Sequence, residues 1–258
     1  MKTKIQGFLA FFALTLFTSS TMLISEKTPE QILKEAESKR SPWTQMSMTA
    51  ELNTNAKSGT IKSIYKVYFK DEINTLVAFL EPQFEKGNLL LMVDADLWYY
   101  VRETKKPTRI TPVQRLSGSV SYGDLARLGW SKDYTIVSSE ETELKTENGT
   151  SETYLLNLAA KSQGATYQKI KLWIDKKTSK PLKSEVYLLS GKMYKTMTFT
   201  KYEIINNKEV NSQIEFIDHF NANQKSVLNF SKIAQEKTIP NRFFVKTSLA
   251  EVSDEVSE

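Results

Sequence analysis

Alternation of apolar and polar residues runs through most of the chain. From Thr44 to Thr54 it sets Met46, Met48, Ala50 and Leu52 against polar neighbours; from Thr60 to Lys70 it sets Ile61, Tyr65, Val67 and Phe69 against Lys62, Lys66 and Lys70. A period of two sends successive side chains to opposite faces of an extended chain, so each segment predicts a strand with one buried face. Lys57-Ser58-Gly59 supplies the turn between them, and Ile73 to Glu81 predicts a third strand, stopped by Pro82. Leu89 to Val93 then breaks the alternation with an unbroken apolar run. After Asp94-Ala95-Asp96 comes a second run, Leu97 to Val101. This hairpin is apolar on both faces and therefore needs cover on both.

The second half repeats the pattern. Tyr134 to Glu143 and Ser151 to Leu158 flank Asn148-Gly149, a pair suited to the positive φ angles of a tight hairpin turn. Thr166 to Asp175 puts Ile170, Leu172 and Ile174 on one face and Lys169 and Lys171 on the other, while Leu182 to Leu189, Met193 to Tyr202, Val210 to Phe220, Val227 to Phe230 and Phe243 to Leu249 complete the set. About a dozen strands joined by hairpin signals predict a mainly β fold: one large curved antiparallel sheet forming an open, unclosed β-barrel with a few short helices as a lid. One helix begins at Pro29, with Thr28 and Gln31 as a capping box and Ile32, Leu33 and Ala36 as a narrow apolar stripe ended by Ser41-Pro42. Another covers Tyr122 to Leu128, capped by Ser121 and Asp124, at the end of a Pro-, Ser- and Gly-rich connection from Thr104. Residues 251–258 are acidic and read as a frayed tail.

The stretch from Asn88 to Leu128 also carries a resemblance. DADLWYY, TKKPTRI and QRLSGSVSYGDLARLGW, with Leu172-Trp173-Ile174-Asp175, Thr178 and Pro181 further on, are similar to the central region of outer-membrane lipoprotein-sorting proteins, the LolA-like superfamily of periplasmic carriers. Ser119-Val120 stands where that family often has an acidic residue before its Ser-aromatic pair. The resemblance implies an open barrel with a helical lid that holds acyl chains without altering them.

Lys2 and Lys4, the apolar run from Phe8 to Phe17 and the small polar residues Thr18 to Thr21 have the three-part layout of a secretory signal peptide, assigned to residues 1–20 and leaving 21–250 as a single domain. A retained anchor is the rival reading, against which the apolar core falls short of the ~20 residues of a spanning helix. Thirty-five Lys and Arg against 30 Asp and Glu, with two of the lysines in the leader, leave a net charge of about +3. Its basic residues are interspersed with acids, which excludes a nucleic-acid footprint. The absence of cysteine rules out disulfides and thiol chemistry. His219, beside Asp218, is the single histidine, so neither a catalytic dyad nor a zinc site is expected, and no cofactor. Ser119-Val120-Ser121-Tyr122-Gly123 lacks the first glycine of a nucleophile elbow, and capping explains Ser121. No enzyme activity is expected.

The informative residues are apolar. Met46, Met48, Tyr65, Val67, Phe69, Val77, Phe79, Leu89, Leu91 and Val93 are expected on one face of the curved sheet, with Ile32, Leu33, Tyr122, Leu125 and Leu128 as lid. Two small helices are too little cover for so wide a face, which implies a hydrophobic cleft; methionine suits it because a flexible thioether adapts to variable chains. The expected cargo is a lipoprotein acyl chain or lipid, taken from an inner-membrane exporter or releasing complex and passed to an outer-membrane acceptor by a monomer. The alternative is a sensor or interaction module of the same fold that binds a lipidated or unfolded partner.

Overall fold

The computed structural model describes residues 27–56, 59–127, 129–147, 149–221 and 224–256. The expected signal peptide, Leu128 and the centres of the Lys57-Ser58 and Asn148-Gly149 turns lie outside them. In chain order the strands are β1 (Gln45–Ala56), β2 (Gly59–Lys70), β3 (Asn74–Glu81), β4 (Leu89–Val93), β5 (Asp96–Val101), β6 (Lys106–Ile110), β7 (Arg115–Ser117), β8 (Val120–Ser121), β9 (Tyr134–Thr146), β10 (Gly149–Ala160), β11 (Lys169–Asp175), β12 (Pro181–Tyr187), β13 (Met193–Ile205), β14 (Lys208–Asp218) and β15 (Gln224–Gln235). The helices are α1 (Pro29–Ser38), α2 (Tyr122–Ala126) and α3 (Leu249–Glu255).

Thirteen strands form one antiparallel sheet in the order β6-β5-β4-β3-β2-β1-β15-β14-β13-β12-β11-β10-β9. Each half is a meander of hairpins, and the one long-range junction is β1 against β15, where Leu52 faces Leu228 and Ala50 faces Phe230. Right-handed twist accumulates over so many strands and curls the sheet, and the register shifts in β13 and β14 between Phe199 and Tyr202 tighten the bend. Strands β6 and β9 remain as free edges, so the barrel is open. Antiparallel order puts the β1–β2, β3–β4, β5–β6, β12–β13 and β14–β15 turns at one end, the upper rim, and the β2–β3, β4–β5 and β13–β14 turns at the other.

Apolar side chains fill both sides of the β3–β5 region, in two separate cores. The inner core collects the concave faces of both meanders with Ile32, Leu33, Val120, Leu125 and Trp130. The outer one joins Leu76, Ala78, Leu89, Leu91 and Tyr100 to Ile239, Phe243, Leu249 and Val252 from the C-terminal segment. The two-sided cover that the apolar hairpin required is thus supplied by the lid inside and the C-terminus outside.

Three expectations are corrected. Residues 104–123 are not an unbroken loop, because Lys106–Ile110 extends the sheet as β6 and Arg115–Ser121 makes a small hairpin; a short edge strand containing Pro107 has little alternation to read. Phe243 to Leu249 is not a strand but two 3₁₀ turns, Asn241–Phe244 and Lys246–Ser248, leading into α3. The tail does not fray at Glu251: α3 continues to Glu255, Val252 is fully buried, and Ser253 Oγ donates to the Gly87 carbonyl at 2.6 Å. An acidic segment with one apolar residue per turn is enough when a hydrophobic sheet face is waiting.

Candidate functional site: the lidded barrel interior

Cross-strand neighbours share a face, so register decides which residues meet inside. Met48, Val67, Val77 and Leu90 form one row and Met46, Phe69, Thr75 and Met92 the next. Met46, Met48, Tyr65, Val67, Phe69, Val77 and Phe79 come together as expected. Leu89, Leu91 and Val93 do not: Leu91 pairs with Leu76 on the convex face, so the inward residues of β4 are Leu90 and Met92. The opposite wall comprises Leu156, Leu158, Ile170, Leu172, Ile174 and Met197 among others.

The open hydrophobic cleft anticipated from scarce cover is absent among the described residues. The seven inward residues from Met46 to Phe79 are 0 to 3% exposed. The reason is the segment 111–133, which turns into the barrel and plugs it with Val120, Leu125, Ala126 and Trp130, while α1 lays Ile32, Leu33 and Ala36 beside it. Burying Ile32 and Leu33 contributes about 1.5–3 kcal/mol each. Tyr122 is half-buried, tilted against Tyr99 at 5.7 Å between ring centres. What remains open is a recess of about 220 Å³ between α1 and the end of the plug, with Trp43, Ile73 and Met92 beneath and Lys34, Glu37 and Arg127 around it.

Polar contacts hold the plug at few points. Lys195, fully buried, donates to Asp124 at 2.8 Å, to Ser121 Oγ at 3.0 Å and to the Ser119 carbonyl at 2.7 Å. Its ammonium also sits 4.8 Å from the Tyr194 ring centre and 5.4 Å from that of Tyr167. Asp124 accepts in addition from Tyr167 Oη at 2.6 Å and from the Ser121 backbone N–H at 2.8 Å, which completes the helix start. Thr75 Oγ1 donates to the Ala126 carbonyl at 2.8 Å, Arg115 pairs with buried Asp218 at 3.0 Å, and the Glu37 carboxylate of α1 accepts from the backbone N–H groups of Trp130 and Ser131. Gly118, at φ +54°, lies so close to Thr54 and Ser226 that a β-carbon would collide with both side chains.

Burial dominates the ionisation of the interior. It drives the Tyr167 phenol well above its ordinary value, with Asp124 adding to the effect, and pushes Tyr99 up to about 12. Arg40, stacked over Trp130 and Phe199, is lowered to about 10 by burial against the pull of Asp124. The tyrosines are therefore neutral at physiological pH, Tyr167 donating to Asp124 and Tyr99 accepting from Asn88. His219 lies at an exposed turn, its Nε2 2.9 Å from Thr196 Oγ1, away from the interior. Among the described residues no group of acids and histidine is arranged to hold a metal ion. The geometry is that of a container with a tethered stopper.

Sequence reading missed Leu90, Met92, Lys195 and Tyr167. Lys195 was legible in principle, since it occupies the inward parity of Met197 and Phe199 in β13.

This architecture is the LolA-like fold. A family model described as "Uncharacterized protein" matches residues 71–251, and the chain belongs to that family. A LolA superfamily protein from Nitrosomonas europaea superposes with a TM-score of 0.77 at 28% identity, over 86% of this chain and 99% of that one. A putative outer membrane lipoprotein-sorting protein domain from Vibrio parahaemolyticus gives 0.71 at 20% identity over 86% and 97%, and a DUF1329 family protein from Desulfovibrio piger gives 0.69 at 16% over 84% and 97%. Among curated proteins none matches the sequence.

Proposed function

We propose that the protein is a periplasmic carrier that shelters a lipoprotein acyl chain, a lipid or a similar hydrophobic cargo inside the barrel and passes it between envelope membranes. The observation that carries this reading is the cover of the inner wall: segment 111–133, with the β7–β8 hairpin and α2, and the ten-residue α1 occupy it, where a storage-free barrel would close on itself. Displacing the plug exposes a continuous surface of Met, Leu, Val and aromatic side chains. An acyl chain takes its place, and each buried CH₂ contributes ~0.8 kcal/mol. The protein acts by binding, with no covalent step. Its likeness to a LolA superfamily protein and to a putative outer membrane lipoprotein-sorting protein domain supports the cargo class, and an inner-membrane exporter or releasing complex and an outer-membrane acceptor are the partners that class requires.

The test is displacement of a fluorescent acyl probe by unlabelled fatty acid and by a triacylated lipopeptide, alongside native mass spectrometry of protein purified from its own envelope fraction. Saturable, competed binding with co-purifying lipid is expected. Folded protein that binds no acyl ligand at any concentration below micelle formation overturns the reading.

A further inference from the structure

The upper rim of the barrel carries large apolar side chains with nothing over them. Phe84, in the β3–β4 connection, and Leu189, in the β12–β13 turn, are each 82% exposed, and Phe220, in the β14–β15 turn, is 52% exposed. Ile61, two residues into β2 and of inward parity, sits at the same rim half exposed. Phe220 is braced by Tyr194 at 5.8 Å between ring centres, so it is held up rather than folded back. The remaining exposed large hydrophobics among the described residues are elsewhere: Ile204 at the opposite end, Val137 along the β9 edge and Val245 on the C-terminal segment.

The same turns are basic. Lys86 follows Phe84, Lys105 and Lys106 mark the β5–β6 turn, Lys192 follows Leu189 and Lys225 follows Phe220. None of the five makes an ion pair among the described residues. The acids in these turns are Glu85, half-buried with its carboxyl raised by burial, and Glu103, while α3, bonded to the β3–β4 turn through Ser253 and the Gly87 carbonyl, brings Asp254 to Arg102 at 2.9 Å. At the lower rim charge is mixed: the β2–β3 and β4–β5 turns present Asp71, Glu72, Asp94 and Asp96, and the β11–β12 and β13–β14 turns Lys176, Lys177, Lys180 and Lys208.

We infer that the upper rim is a membrane-docking face for an anionic phospholipid surface, with Phe84, Leu189 and Phe220 entering the interface and Lys86, Lys192 and Lys225 meeting the phosphates. Two features favour a bilayer over a protein partner. The apolar residues stand singly on separate turns, whereas a stable protein interface needs a contiguous packed patch on the order of 1,000 Å² or more. Phe84 and Leu189 are also followed by a lysine within three residues and Phe220 by one five residues on, the pairing that places an apolar side chain below the headgroups and an ammonium at them. Docking this way brings the lid to the membrane, because the β7–β8 hairpin is pinned at this rim by Ser119, whose hydroxyl donates to the Gln224 carbonyl at 2.6 Å and whose backbone N–H donates to Ser226 Oγ at 3.0 Å. Vesicle binding and cargo binding are separate measurements, so this inference stands or falls apart from the carrier reading.

The experiment is co-sedimentation of the purified protein with vesicles of phosphatidylglycerol and phosphatidylethanolamine, and with vesicles of phosphatidylcholine alone. Partitioning onto the anionic vesicles and little onto the neutral ones is expected. Phe84→Ser with Leu189→Ser should lower that partitioning by at least about tenfold, since each removes most of a buried apolar side chain from the interface. Lys86→Glu, Lys192→Glu and Lys225→Glu together should abolish the preference for anionic lipid, at about fivefold per lysine lost. Ile204→Ser, equally drastic and at the other end, should change nothing. Absence of binding by the unmodified protein overturns the inference, and so does a loss with Ile204→Ser as large as that with the rim variants. These positions are exposed except Lys86, which is part-buried, and unchanged urea midpoints will show that the fold survives.

Discussion

Lys195 carries an ammonium into a place where a methionine of similar length would fit, and it is tolerated there only because Asp124, two oxygen acceptors and three aromatic faces surround it. Removing one member of such a pair strands the other without solvent. Lys195→Met is therefore expected to cost about 3–5 kcal/mol in urea denaturation, while Lys195→Met combined with Asp124→Leu should cost clearly less than the sum of the two single changes. Additive losses would mean that the two groups do not depend on each other. The same scale shows what the sequence could and could not say. Alternation placed Met46, Met48, Val67 and Phe69 on one face because polar residues mark the other. Leu89-Leu90-Leu91-Met92-Val93 contains no such mark, and a slip of one residue exchanges the faces. Only the pairing of Leu90 with Val77 resolves it.

Among the elements, α1 was the easiest to read and the least expected in its attachments. Its start is written locally: Thr28 Oγ1 accepts from the Gln31 N–H at 3.3 Å and Gln31 Oε1 from the Thr28 N–H at 2.9 Å. Its attachments are long-range and polar, hence invisible to periodicity. Glu35 accepts from Lys27 and from Ser179 Oγ, which hold its carboxyl below the usual 4.5 despite partial burial. Glu209 of β14, pushed up by burial but pulled further down by Lys180 and Lys39, ties the C-terminal end of the helix. Both folded values lie below the unfolded ones, so the contribution of these groups is complete above pH 4.5 and is lost as the pH falls through the folded values. Amide exchange in residues 29–38, corrected for intrinsic rates, should accelerate relative to the β1–β3 strands as the pH drops below 4.5. Glu209→Gln should weaken that acid dependence, and an unchanged profile would dissociate the helix from these carboxylates.

At the scale of the whole molecule, hairpin signals sufficed for an antiparallel meander and for its openness. They were silent on the β1–β15 junction and on the plug, because both join parts of the chain far apart in sequence. A barrel packed with its own lid functions as a container only if the lid leaves before the wall does. Segment 111–133 has the composition for this: its apolar anchors are few, and much of its backbone is bonded to side chains such as Glu37, Thr75 and Lys195 rather than to a sheet ladder. Amides of Tyr122 to Arg127 should accordingly exchange through a local opening that is far cheaper than global unfolding and nearly insensitive to urea, while those of Leu90 and Met92 follow global unfolding. A bound acyl chain should change the exchange of the first group and leave the second tied to global stability. Leu125→Ala removes a fully buried anchor from the plug, and a truncation of that size, worth about 2–5 kcal/mol in a core, is expected to speed release of an acyl probe by tenfold or more in stopped-flow displacement. Leu91→Ala supplies the contrast, since Leu91 packs on the convex face against the C-terminal segment and touches neither plug nor cargo; it should lower global stability by a similar amount with release unchanged. If plug and strands exchange with one common free energy and one common urea dependence, the barrel opens only by unfolding and cannot carry anything.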